Sequence, residues 1–223
     1  VQTCALPIYM DGTLIDTEPY WLESEVELMA RYNVSWSEDD QRVCLGGPLP
    51  RVGQYMSDLA NGADTAEYFE HELVRLVSEK FNSGINFMPG ALELLEEIYA
   101  AGIPLALVSA SPRVLVDAAL ARLSKPFFTI SISSGEVTES KPNPEGYLKA
   151  AASLNADIEQ SLVLEDSATG IGAAKASGAY VLAIPHIVEL ELNEKSIKVD
   201  SLLGVTLNSV IEDFSLLQHQ GSR

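Results

Sequence analysis

The sequence predicts an α/β fold, a parallel sheet layered with helices and interrupted once by an all-helical block. Three observations predict it. From residue 86 onward, short apolar runs alternate with amphipathic helical stretches, the rhythm of a parallel sheet. Residues 17–84 read as an all-helical block, helices joined by loops. Four polar loops, Asp11-Gly12-Thr13, Ser109-Ala110, Lys141-Pro142 and Glu165-Asp166, follow apolar strands or precede helices. In an open α/β sheet, ligands bind just outside the carboxyl ends of the strands.

The chain has 223 residues, enough for one domain with an insertion or for two small domains. Its apolar content of 47% suffices for a sizeable core. Acidic residues number 32 against 14 basic ones, a net charge of −18. That balance excludes nucleic acid and anionic membranes as partners and disfavours anionic substrates at long range. A phosphate site in such a chain needs a local cation, a lysine or a metal. Cys4 and Cys44 have neither disulfide-framework nor metal-site spacing. There is no apolar run of transmembrane length and no signal-peptide pattern, so a cytoplasmic monomer or weak dimer is expected.

The elements follow in order. Ile8 to Asp16 reads as a strand end running into a tight turn at Gly12, with Asp11 and Thr13 at the tip. Residues 17–32 read as a helix, with Thr17 as N-cap, Pro19 in the first turn and Leu22, Val26 and Met29 on one face. Ser37 and Asp40 have capping-box spacing. Leu45 to Pro50 reads as a loop, and Ala66 to Phe81 as a helix with Phe69, Leu73 and Leu76 inward. Pro89 opens a helix that Gly102 closes. Pro104 to Val108 is a strand ending at Ser109-Ala110-Ser111, and Ser111 reads as N-cap of a helix over 112–123. Strands follow at 128–132, 161–164 and 180–184, with helices at 145–154 and 167–177. The last forty residues carry a weak strand near 202–205, a short helix and a polar tail.

The chemistry lies in the polar loops. If the fold brings them together, Asp11, Glu165 and Asp166 crowd their carboxylates. Two such charges 4 Å apart repel by ~1 kcal/mol in water and ~4 kcal/mol at an effective dielectric of 20. A cation relieves that, and Mg²⁺ suits it, being hard, oxygen-seeking and content with one or two carboxylates plus substrate phosphate. Lys141 supplies a point charge for a phosphoryl oxygen. Ser109, Thr13 and backbone N–H groups near Ala110 suit the other oxygens. Asp16 and Glu18 read as helix-start charges. His71, His186 and His219 show no ligand spacing. Trp21 and Trp36 read as core of the helical block. Arg51 reads either as a substrate contact or as a surface arginine.

In order and context, the four loops resemble the four motifs of the haloacid dehalogenase superfamily of phosphohydrolases. The helical block resembles the cap inserted between the first and second motifs in one of its branches. The resemblance implies a Rossmann-like core from residues 1–16 and 85–223 and a helical cap over 17–84 that closes over substrate. It implies a Mg²⁺-dependent phosphatase for a small phosphorylated metabolite. Glu18-Pro19-Tyr20-Trp21 is similar to the sugar-phosphate phosphatase and β-phosphoglucomutase-like branch.

The roles follow from the same resemblance. Asp166 and the Asp11 backbone carbonyl are the metal ligands, with Glu165 a ligand or its supporting partner. The Asp11 side chain is the general acid/base, and Ser109 and Lys141 grip phosphate. A phosphatase is favoured over a mutase, because His71 is the one cap histidine available to hold a bisphosphate. One position departs from the pattern: Tyr9 stands where the family has its nucleophilic aspartate. A phenol with pKa near 10 is a poor nucleophile and a poor Mg²⁺ ligand. The alternative is therefore a non-catalytic, phosphate-binding or regulatory protein. Pro7 has no N–H for a central strand. With Tyr9 and the missing initiator methionine, it makes a truncated or mis-joined reading frame before Met10 the expectation.

Overall fold

The sheet is parallel throughout. In the computed structural model, which describes residues 6–44, 48–184 and 192–220, its strands are β1 (Leu6–Tyr9), β2 (Leu105–Val108), β3 (Ile130–Ile132), β4 (Leu162–Glu165), β5 (Tyr180–Ala183) and β6 (Ser196–Lys198). They lie in the order β3-β2-β1-β4-β5-β6. The helices are α1 (Glu18–Ala30), α2 (Glu38–Cys44), α3 (Leu49–Leu59), α4 (Ala66–Ser83), α5 (Ala91–Ala100), α6 (Arg113–Leu120), α7 (Glu145–Ser153), α8 (Ala168–Ser177) and α9 (Leu207–Gln220). The chain forms two compact units, residues 1–16 with 86–223, and residues 17–85.

In the sheet unit, β1 is central. Its register with β2 runs from Leu6↔Leu105 to Tyr9↔Val108, whereas toward β4 it pairs at Ile8↔Leu164. Pro7 therefore does sit in a central strand, opposite Ala106, and the ladder toward β4 is the shorter one beside this residue that lacks an N–H. Strand order reverses between β1 and β4, the switch point at which an open sheet leaves a crevice. Side chains alternate between the faces. Ala106, Val108, Val163, Val181 and Ala183 pack with Tyr147 and Ala150 of α7 and Ile171, Ala173 and Ala174 of α8. The small residues let these helices lie close. The other face carries Leu105, Leu107, Leu162, Leu164 and Tyr180, all buried, and Phe214 of α9 meets Tyr180 edge-on at 4.9 Å.

In the helical unit, α4 packs against α1 and α3. Leu28, Met29, Val52, Met56, Phe69, Leu73 and Leu76 form the core, with Trp21 and Trp36 half-buried against it. Thr65 caps α4 by accepting the Tyr68 N–H at 3.2 Å. Ser37 and Asp40 exchange the bonds of a capping box at the start of α2.

Four local readings are corrected. The loop expected over 45–50 gives way to α3 at Leu49, with proline in the first turn where its missing N–H costs nothing; residues 45–47 lie outside the described ones. On α1, Val26 is exposed, and the buried face is Ser24, Glu25, Leu28 and Met29. Its polar members are satisfied, Ser24 Oγ by the Tyr20 carbonyl at 2.7 Å and Glu25 by the Trp36 indole at 3.1 Å. Thr17 makes no side-chain cap bond. The late strand is Ser196–Lys198 rather than 202–205, where Gly204 adopts a φ of +80°. His71 is exposed; His186 lies outside the described residues, as does the side chain of His219.

Candidate active site

The polar loops meet at the carboxyl ends of β1, β2 and β4. After β1 the chain turns sharply: Ile15 and Leu14 both donate to the Met10 carbonyl, and Gly12 donates to Ile15. Gly12 has a φ of +73°, and a Cβ there would come within 2.1 Å of Asp166 Oδ2. Glycine therefore lets the first loop lie directly against the fourth. Thr13, buried under the turn, donates its hydroxyl to Asp166 Oδ1 at 3.0 Å.

Asp11 faces the loop after β2. Ser109 Oγ donates to its Oδ2 at 2.9 Å, and Ser111 Oγ reaches the same oxygen at 3.1 Å. The Ser111 backbone N–H donates in turn to Ser109 Oγ at 2.9 Å. The two hydroxyls thus fix the orientation of one carboxylate. Ser111 was expected to cap a helix; that cap is Pro112, and the Ser111 side chain belongs to Asp11. Two hydroxyls flanking Ala110 at the end of an apolar strand are the signal that could have revealed it. Ala110 is exposed and lines a small cavity with Ser109 and Lys141.

Glu165 faces inward and is fully buried. Lys141 Nζ donates to its Oε1 at 2.7 Å and the Tyr147 hydroxyl to the same oxygen at 3.0 Å. Its Oε2 accepts the backbone N–H groups of Asp166 and Ser167 at 2.8 and 3.0 Å and the Ser167 hydroxyl at 3.2 Å. The space it fills is left by Gly170, where a Cβ would overlap the carboxylate. Tyr147 carried no sequence signal beyond an aromatic residue on the inner face of a helix. Burial and the adjacent Glu165 charge hold its phenol far above the usual range. Burial also draws the Lys141 pKa down, against the opposing pull of Glu165, Asp166 and Asp11.

Each of the three carboxylates has its own donors, Asp11 from Ser109, Glu165 from Lys141 and Asp166 from Thr13, yet Glu165 and Asp11 still act on Asp166. Among the described residues no three His, Cys, Asp or Glu side chains group to hold a metal. Asp166 is the strained member. Burial first, then the charges of Glu165 and Asp11, push its carboxyl up to about 8, against the bond from Thr13. Tyr9, at the tip of β1, lays its ring over Lys141, with Nζ 3.6 Å from the ring centroid. Arg51 lies in the helical unit and donates to the Val43 carbonyl at 2.7 Å.

A parallel sheet whose switch point gathers an aspartate turn, a serine loop, a buried lysine and an acidic pair defines a hydrolase core. The chain belongs to the haloacid dehalogenase-like hydrolases, whose family model matches residues 9–184. It is 31% identical to a phosphorylated carbohydrates phosphatase of Thermotoga maritima over 170 residues, 76% of this chain and 79% of that one. It is 30% identical to the bifunctional riboflavin kinase/FMN phosphatase of Arabidopsis thaliana over 84% of its own length, and spans about half (49%) of that protein. The crystal structure of a HAD hydrolase of family IA, variant 3, from Entamoeba histolytica has the same fold, with a TM-score of 0.79 at 22% identity over 98% of this chain and all of that one. Relatives of this chain named as phosphatases, a hexitol phosphatase of Escherichia coli at 31% identity among them, are phosphoric monoester hydrolases. Among the described residues no helix is long and apolar enough to cross a membrane.

Proposed function

We propose that this chain has the site of a Mg²⁺-dependent phosphatase for a small phosphomonoester, a sugar phosphate, and that Tyr9 withholds its covalent step. The observation that carries this reading is the convergence of Asp11, Ser109, Lys141 and Asp166 at the β1–β4 switch point. The likeness to a phosphatase of phosphorylated carbohydrates supports the substrate class.

The donor set fits magnesium. Asp166 is a half-buried carboxylate whose pKa is raised first by desolvation and then by the Glu165 and Asp11 charges, so its ionised form is costly, a cost that a cation relieves. Mg²⁺ needs only one or two protein carboxylates, because water and substrate phosphate complete its shell. Asp166 and the Asp11 backbone carbonyl would hold it, with Glu165 supporting from behind. When bound, the ion neutralises charge on the phosphoryl oxygens. Lys141 adds the second positive charge. The Asp11 side chain, oriented by Ser109 and Ser111, gives a proton to the leaving oxygen and later takes one from water. The group that should accept the phosphoryl is an aspartate at position 9, and a tyrosine stands there instead.

The test is phosphate release from a panel of sugar phosphates with Mg²⁺, comparing this chain with Tyr9→Asp. Turnover is expected in Tyr9→Asp, with the unaltered chain slower by on the order of 10⁶, the scale of losing a hydrolase nucleophile. No hydrolysis by Tyr9→Asp sinks the phosphatase reading. The contact between Tyr9 and Lys141 favours a second reading, a non-catalytic member of the family. Turnover by the unaltered chain would end it.

A further inference from the structure

We infer that Tyr9 does more than replace a nucleophile: its ring occupies the coordination that Lys141 would give to phosphate. The inference rests on the phosphate-site reading above and concerns the ligand affinity of that same site. Lys141 has three N–H donors and an 11% exposed side chain. One donor serves Glu165 Oε1 at 2.7 Å. The Tyr147 ring lies 4.9 Å from the ammonium, and the Tyr9 ring lies closer, at 3.6 Å. Aromatic faces attract cations through their quadrupole, and more strongly where water is excluded. The ammonium is therefore satisfied by a carboxylate and two aromatic faces before any anion arrives.

A phosphoryl oxygen that reaches Lys141 competes for the ammonium with the Tyr9 face, since Glu165 and Tyr147 are fixed to one another by a buried hydrogen bond. Tyr9 sits one residue before the Met10 carbonyl that anchors the first loop, so its backbone is held in the sheet while its ring covers the lysine. The ligand class is a tetrahedral oxyanion. The position-9 side chain sets whether the lysine is available to it.

The experiment titrates the full chain with inorganic phosphate, followed by calorimetry or ³¹P NMR. Removing a desolvated aromatic face should tighten phosphate binding by about tenfold or more in Tyr9→Ala. Tyr9→Phe, which keeps the ring, should bind like the unaltered chain. Tyr9→Leu, which keeps apolar bulk without a π face, should gain by a smaller factor, and it decides the matter if Tyr9→Ala does not fold. Adding Lys141→Met to the Ala or Leu variant should abolish the gain. Phosphate binding unchanged in Tyr9→Ala and Tyr9→Leu overturns the inference, as does a gain that survives Lys141→Met. If Tyr9→Asp hydrolyses sugar phosphates while the Ala and Leu variants bind phosphate no better, only this inference falls. If they gain affinity while Tyr9→Asp hydrolyses nothing, only the phosphatase reading falls.

Discussion

Among the described residues two glutamates are buried, one in each compact unit, and the fold treats them differently. Glu165, at the tip of β4, has no exposed surface and accepts from a lysine, a tyrosine, two backbone N–H groups and a serine. Glu25, on α1, is 5% exposed and accepts from the Trp36 indole. Its carboxyl is pushed up to about 7, chiefly by burial and further by the Glu18 charge, against the pull of the indole. Burying a carboxylate is costly unless donors replace its water. Where they do, as around Glu165, the residue becomes a frame that positions its neighbours. Where one neutral donor must serve, as around Glu25, the residue meets the cost by holding its proton.

That contrast can be broken most forcefully at Glu165. Replacing it with alanine strands the Lys141 ammonium, the Tyr147 hydroxyl and two backbone donors. Loss of one partner of a buried ion pair costs about 3–5 kcal/mol, so urea unfolding of Glu165→Ala should show a loss of that size. A loss below about 1 kcal/mol would mean that Glu165 frames nothing.

Glu25 provides a test of opposite character. Its pKa is raised in the folded state from 4.5 to about 7, so folding favours the protonated form. The stability this contributes is complete below pH 4.5 and is lost as pH rises through 7. The span corresponds to about 3 kcal/mol. Glu25→Gln removes the titration while keeping an acceptor for Trp36. Relative to the unaltered chain, its stability should therefore rise by about that amount between pH 4.5 and 8. A difference that stays flat across this range would show Glu25 to be no proton holder.

The smallest effect sharpens the Glu165 half. Tyr147→Phe deletes a buried hydrogen bond to a charged group but keeps the ring beside Lys141. It should cost about 1.5 kcal/mol in chemical denaturation and leave the fold intact. No change would mean that the remaining donors carry Glu165 alone.

The same difference explains what could be read from the sequence. Strand tips were legible, because an apolar run ending in Asp-Gly-Thr, Ser-Ala or Glu-Asp announces both the strand and its polar end. The parallel α/β class followed from their alternation with helices. What the polar residues touch was not legible. Thr13 and Ser109 look like free hydroxyls in sequence, yet each is given to a carboxylate more than ninety positions away. Glu25 looks like a solvated helix residue, because the indole that accompanies it into the core comes from beyond the end of α1. α3 was hidden by Gly-Gly-Pro-Leu-Pro, a run dense in breakers whose prolines suit a helix start. Backbone pattern is local and reads well; hydrogen-bond partnership across the fold leaves no periodic trace.

The central place of β1 also sets an order of assembly. During synthesis β1 cannot join its sheet until β2 emerges, after the whole helical unit, and its other neighbour β4 comes later still. The helical unit closes short loops between neighbouring helices and can form early. The sheet must wait for distant pairing, the kind of closure that slows folding and leaves strands exposed in the interval. Leu6 to Tyr9 is thus the segment whose sequence governs how safely the nascent chain passes that interval. Within it, Pro7 offers no N–H to any strand that pairs with it.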